Sequence, residues 1–348
     1  MSLLRSTTGQ SPSGGAPTEP RIRPLRDGLL PYTRRHRGMV RRGLAFSCLL
    51  VGARLALPLP LTQVVASSTT PGAGQGSSGP IALLSASFVG LALVAGIAEH
   101  FQRLAFAHFA GRSIGDARAA ALTRVQGDGG EASVHLTAQV IGDCMRVKQG
   151  LKGFLNHITV NGLLVVGICV VLAFTDLTVG LVTIAGAAVL GLVALTGARW
   201  VGVVAAEHRQ DEVALAGSVH VLVAGAQAGD QSEALAALRQ IDSESGDADI
   251  AMTRWEGLTT WVGHIVLVIT AAAALLLGVQ SVEARSMSTS TLFAVMAYLL
   301  MLQGPAIRCA RQIARTAQLL VSARELAAVL LAPVAPGEPT DPGTSIVD

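Results

Sequence analysis

Two textures alternate along the chain. Six apolar runs, at about residues 43–66, 80–98, 154–175, 177–198, 258–279 and 289–310, are each long enough, at ~1.5 Å per residue, to cross a hydrocarbon layer of ~30 Å. The fourth, LTVGLVTIAGAAVLGLVALTGA, carries no charge at all. Between runs two and three, and again between four and five, the texture changes. In AFAHFAGRSIGDARAAALTRVQ and IGDCMRVKQGLKGFL, and in VVAAEHRQDEVALAGSVHVLVAG and SEALAALRQIDSESGDADIAMTRW, apolar positions recur at about i, i+3, i+4 and i+7 with charges between them. That period belongs to amphipathic helices. Each pair is broken once, by GDGGE at 127–131 and by GAQAGD at 225–230. The pattern predicts an all-α membrane protein: six transmembrane helices, with spans two to five prolonged into two long cytoplasmic helical hairpins. Each hairpin tip has room for a short transverse helix.

Composition agrees with this picture and charge orients it. Only 14% of the 348 residues are charged, 51% are hydrophobic and the mean hydropathy is +0.52, against a charged share of about 25% in soluble domains. Of the 26 Lys and Arg, nine precede residue 43, whereas the short connections at 67–79, Asp176 and 280–288 hold Arg285 alone. By the positive-inside rule both termini and both hairpins are expected in the cytoplasm, in a multi-pass cell-membrane protein. Residues 1–33 read as a disordered, basic cytoplasmic tail, its first twenty rich in Ser, Gly and Pro; 34–331 as the membrane domain; 332–348 as a short disordered C-terminal tail. Arginines next to a span meet anionic lipid, so the N-terminal cluster predicts a lipid bilayer and no nucleic acid as its partner. The first twenty residues lack an apolar stretch and a small-residue cleavage site, so they are not expected to act as a signal peptide.

Little of the chain looks like catalytic or metal chemistry. Cys48, Cys144, Cys169 and Cys309 are scattered without a CxxC, and the histidines form no HxxxH, so no metal is assigned. Arg54 stands near the middle of span one, where lipid exposure costs at least ~2.5–3.5 kcal/mol. Either it faces a central cavity and meets an anionic part of a substrate, or it pairs with a neighbouring helix or snorkels. Arg54, Gln63, Asn161, His264 and Gln303 are the candidates for a substrate cavity. Asn156 and His157 are further polar residues within spans, and Glu99, His100 and Gln102 read as interface polarity at the end of span two.

Four blocks in order carry a resemblance. LALPLPLTQVV (55–65), GRSIGDARAAALTRV (111–125) with Asp116, Arg118 and Leu122, LTAQVIGDCMRVKQGL (136–151) with Asp143, and MAYLLMLQGPAIRCARQIARTAQLLVSARELAAVL (296–330) with Tyr298, Pro305, Ala323, Arg324 and Leu330 together resemble the six-helix transmembrane domain of an ATP-binding-cassette exporter. The resemblance covers about 34–331. It implies alternating access driven by an ATPase that docks on the hairpin tips, at Gly127, Asp128, Gly130, Glu131 and His135 in the first and Val223, Gly225, Gln227 and Asp230 in the second. It also implies a homodimer or a pairing with a related half, and a Pro305 kink in span six.

Two departures stand beside it. The acidic residue usual near the start of the second tip is replaced by His220 and Val221, and the basic residue after the glycine is missing. The chain also holds no ATP site of its own. A phosphate-cradling GxxxxGK[ST] loop needs a lysine followed by Ser or Thr, and the two lysines, Lys148 and Lys152, satisfy neither this nor a Gly-rich context. No LSGGQ-like stretch occurs. The chain is therefore expected not to be an enzyme, with ATP and Mg held by a separately encoded nucleotide-binding subunit. An ion- or proton-coupled carrier, or a degenerate non-transporting scaffold subunit, are the alternatives.

Overall fold

The computed structural model describes residues 23–60, 63, 78–126, 131–225 and 231–331. Its helices are α1 (Arg23–Arg35), α2 (Arg37–Ala56), α3 (Ser78–Gln126), α4 (Glu131–Thr175), α5 (Leu177–Gly225), α6 (Gln231–Glu283) and α7 (Thr289–Leu331), and no strand occurs among the described residues. Each of α2 to α7 contains a stretch long and apolar enough to cross a membrane. The molecule is an all-α, multi-pass membrane protein.

The amphipathic stretches form unbroken continuations of the spans. α3 and α5 end at Gln126 and Gly225, and α4 and α6 begin at Glu131 and Gln231, so the helix ends fall at the two glycine-containing patches. Large apolar side chains are exposed on α3 from Leu83 to Leu104, on α5 from Leu177 to Val203 and on α6 from Leu258 to Val279. Past that belt α3 and α5 continue for about 33 Å each and α6 for about 40 Å, at ~1.5 Å per residue. The bundle thus has an arm end and a turn end. All three tryptophans lie at the arm-side edge of the belt on α5 and α6, with Trp200 and Trp255 rings 4.8 Å apart, as amphipathic indoles do at a membrane–water boundary.

Two apolar cores stack along the axis. The larger draws on all six spans, including Leu50, Ala98, Leu164, Ile168, Ala274 and Leu302. The smaller sits among the arms, where Ile114 and Ala121 of α3, Val140 and Val147 of α4, and Leu326 and Leu330 of α7 meet. Inside lipid, helices gain little from apolar burial against one another and rely on close packing at small residues. α5 and α6 follow this rule: Gly186 faces Thr270 and Gly197 faces Thr259, with no room for a Cβ between them. Thr270 directs its hydroxyl to the Val266 carbonyl at 2.7 Å, so that donor is satisfied within its own helix.

The N-terminal expectation needs correction. Residues 23–33, assigned to an unstructured tail, belong to helix α1, which packs on α7 and α3. The physical reason is a face the sequence reading overlooked: Leu29 and Tyr32 pack against the smaller core. Gly28 lets the backbones touch, since a Cβ there would lie 2.9 Å from Ala327 Cβ. Residues 1–22 and 332–348 lie outside the described residues.

At the turn end, one residue separates α4 from α5. Asp176 caps α5, its Oδ1 accepting the Thr178 and Val179 amides at 2.8 and 3.1 Å, while Oδ2 accepts the Ser281 hydroxyl of α6 at 2.9 Å. Those bonds, the Val179 amide foremost, hold the Asp176 carboxyl below the usual carboxylate range. α7 runs through Pro305 without ending, although proline supplies no amide to the carbonyl one turn back.

Candidate functional site

A polar layer separates the two cores at the arm-side mouth of the bundle. Arg54 lies in the last turn of α2. Its neighbour Leu55 packs on Gly167 of α4, and the Leu55 carbonyl accepts a 2.7 Å hydrogen bond from Tyr298 of α7. Gly167 and Tyr298 stand well inside their spans, so the Arg54 backbone is deep in the bundle, as its place in the apolar run implied. The side chain leaves that depth. Helical Cβ atoms point toward the N-terminus, here the arm end, and Arg54 Nη2 meets Glu99 Oε2 of α3 at 2.8 Å.

Glu99 is the hinge of this layer. Its other oxygen accepts from Arg103, one turn further along α3, so one carboxylate serves two guanidinium groups. Next to it Gln102, 1% exposed, donates to Asn156 Oδ1 of α4 at 3.2 Å. Asn161, also buried, donates to the His157 carbonyl at 2.8 Å. Arg308 of α7 completes the lining of a half-open cleft of ≈ 80 Å³. A wider cleft of ≈ 390 Å³ lies beside it between α4 and α7, lined by Arg146, Gln149, Gln312, Arg315 and Ser322, with His157 shared by both. Arg315 is itself clamped by Glu256 of α6 in a two-pronged pair, Nε to Oε1 and Nη2 to Oε2, each at 2.9 Å. Planar fork-to-carboxylate pairing of this kind fixes orientation as well as charge.

The layer therefore holds more positive than negative charge. Arg54 and Arg103 share Glu99 and Arg315 takes Glu256, while Arg308 and Arg311 have no ion-pair partner among the described residues. It is a mouth lined by amides and cations, above which the core is apolar.

The sequence candidates divide. Arg54 and Asn161 come together in the small cleft. Gln63, His264 and Gln303 do not line it: Gln63 and His264 are exposed and Gln303 is half-buried on α7. Of the tip residues, Gly127, Asp128, Gly130, Gln227 and Asp230 lie outside the described residues. Glu131 and His135 fall in the first turns of α4, and Val223 and Gly225 in the last turn of α5. The sequence reading missed Glu99 as a counter-ion and missed the Glu256–Arg315 clamp. The Glu99–Arg103 spacing of four was a usable signal, because it marks a carboxylate held near cations at the end of a span. Nothing local joins Glu256 to Arg315 across 59 positions. At the base of α1, His36 Nε2 lies 3.0 Å from Asp116 Oδ2, which ties the start of α2 to the arm of α3.

Comparison of the chain with protein-family models and with curated proteins returned no match.

Proposed function

We propose that the chain is the membrane half of an ATP-driven exporter, its arms cytoplasmic and its mouth opening on that side. The observation that carries this reading is the pair of helical hairpins. Four helices run on past the apolar belt, and their ends fall on either side of residues 127–130 and 226–230. An anchor or scaffold has no use for such length, whereas a lever does: a displacement at the tips rotates the spans to which they are continuous. The four resembling blocks support it too, since Asp116 and Tyr298 both make contacts between helices. Residues 1–348 contain no phosphate-binding loop, so the ATPase that moves the tips is a further domain or subunit, and a second copy or related half completes the pathway. Coupling requires that the inward- and outward-facing states differ in their contacts with that ATPase.

Reconstitution tests the reading. Purified chain with its ATPase in proteoliposomes is expected to move substrate only with ATP and Mg, and replacing residues 126–136 by a Gly-Ser segment is expected to abolish both ATPase association and transport. Transport by the isolated chain on a proton gradient, without any ATPase, would overturn it in favour of an ion-coupled carrier.

A further inference from the structure

Away from the mouth, a second cleft lies where α1, the first turns of α2 and the arm of α3 converge. Its lining is Leu30, Thr33, Arg34, Arg37, Val40, Arg41 and Phe109. Three features set it apart. Arg34, Arg37 and Arg41 are exposed, follow one another at spacings of three and four, and have no ion-pair partner among the described residues. The nearest pairing, that of Asp116, goes to His36 and Arg35 instead. Leu30 and Val40 are half-buried and Phe109 is buried, so the cleft has an apolar floor beneath a cationic rim. The apolar face of α1 is already engaged, with Leu29 and Tyr32 on the smaller core, which holds the rim in place from behind.

Depth decides what such a cleft meets. The exposed apolar belt reaches Leu104 on α3 and Leu44 on α2. Phe109 is about 7.5 Å beyond Leu104 at ~1.5 Å per residue, and Arg41 is one turn before Leu44. Rim and floor therefore both stand just outside the hydrocarbon boundary, at the depth of lipid headgroups and the glycerol esters beneath them. Guanidinium groups pair with phosphate through parallel N–H donors, and basic pockets at this depth attract anionic lipid.

We propose that this cleft is a binding site for one anionic phospholipid of the arm-side leaflet, with the phosphate on Arg34, Arg37 and Arg41 and the glycerol ester region over Val40 and Phe109. The site depends on the chain spanning a membrane but not on what it transports, and it is tested without ATPase or transport.

The test is native mass spectrometry of the detergent-purified full chain titrated with phosphatidylglycerol or phosphatidylcholine. The wild type is expected to retain one phosphatidylglycerol in preference to phosphatidylcholine. In R34Q/R37Q/R41Q that preference is expected to fall on the order of 100-fold, about fivefold per guanidinium. R112Q/R199Q/R254Q, equal in charge change and placed elsewhere on exposed positions, is expected to keep it within about threefold. Val40→Glu, which puts a carboxylate on the floor and leaves all three arginines, is expected to lose it as well, a check should the triple variant fold poorly. Equal losses in the two triple variants would reduce the site to general surface charge and overturn the proposal. Displacement of the lipid by inorganic phosphate or glycerophosphate at matching concentration would overturn it equally, because the floor would then contribute nothing.

Discussion

Glu99 is the residue whose loss the mouth tolerates least. It sits between Arg54 and Arg103, so the consequences of removing partners are unequal. Arg54→Met leaves Glu99 still paired with Arg103, and the expected cost is below about 1 kcal/mol. Glu99→Gln leaves two guanidinium groups facing each other in a partly dehydrated site, and the expected cost is about 2–3 kcal/mol, short of the full value for a deeply buried pair. Thermal unfolding in detergent orders the two, and equal shifts would show that Glu99 does not hold both cations. Asp176, at the opposite end, supplies a pH dependence. Its folded carboxyl is held below the ordinary range, so its stabilisation is fully present above the unfolded value of about 3.9 and fades as pH falls through the lower folded value. Asp176→Ala is expected to cost about 1 kcal/mol at neutral pH. Its unfolding midpoint should converge with that of the wild type as the solution is acidified below the carboxylate range; a gap that persists there would mean that Asp176 acts through something other than its charge.

Among the elements, α1 shows where reading from sequence stopped and why. The six spans and the helix ends at 126/131 and 225/231 were legible, because they rest on long runs and on a period that repeats over many residues. α1 is thirteen residues long, with a proline inside and arginines near both ends, and its amphipathic face, overlooked in the sequence, gains meaning only from α7 and the smaller core. What holds it is a contact between Gly28 and Ala327, nearly 300 positions apart, which no local pattern encodes. Gly28→Val is expected to push α1 off α7. Limited trypsin digestion should then cut at Arg34, Arg35 or Arg37 at least about tenfold faster, the scale set by an opening cost reduced by ~1.4 kcal/mol, with the spans intact. Unchanged cleavage would mean that α1 is held by something other than this close approach. The mouth was legible only in part for a related reason. Arg54 stood out because charge is rare in an apolar run, whereas Glu99 looked like the ordinary polarity of a span end, and only the neighbouring helix turns it into a counter-ion.

At the scale of the whole molecule, two apolar cores are joined by a layer of ion pairs and amides, with a hydrogen-bonded clip at the turn end. Apolar cores resist shear because their side chains interdigitate, while a layer of exchangeable polar contacts offers alternative pairings at similar energy. The mouth is therefore the layer at which neighbouring continuous helices are expected to move past one another when the arms are displaced. Glu256 and Arg315 bridge α6 and α7 in that layer. Cysteines at these two positions, oxidised to a disulfide, are expected to lock the arms and abolish ATP-driven transport reversibly, reduction restoring it. Full transport in the cross-linked protein would place the moving boundary elsewhere.

The Arg54–Glu99 pair also sets an order of events during synthesis. Glu99 is made 45 residues after Arg54, so the ribosome delivers a cation-bearing α2 before its counter-charge exists. On insertion scales a central arginine costs α2 about 2.5–3.5 kcal/mol, enough to make a lone first helix a poor membrane anchor. α2 and α3 are then expected to enter lipid as a unit, the second helix retaining the first. A nascent chain stopped before Glu99 is expected to leave α2 wavering at the translocation channel, and one long enough to release the whole of α3 is not.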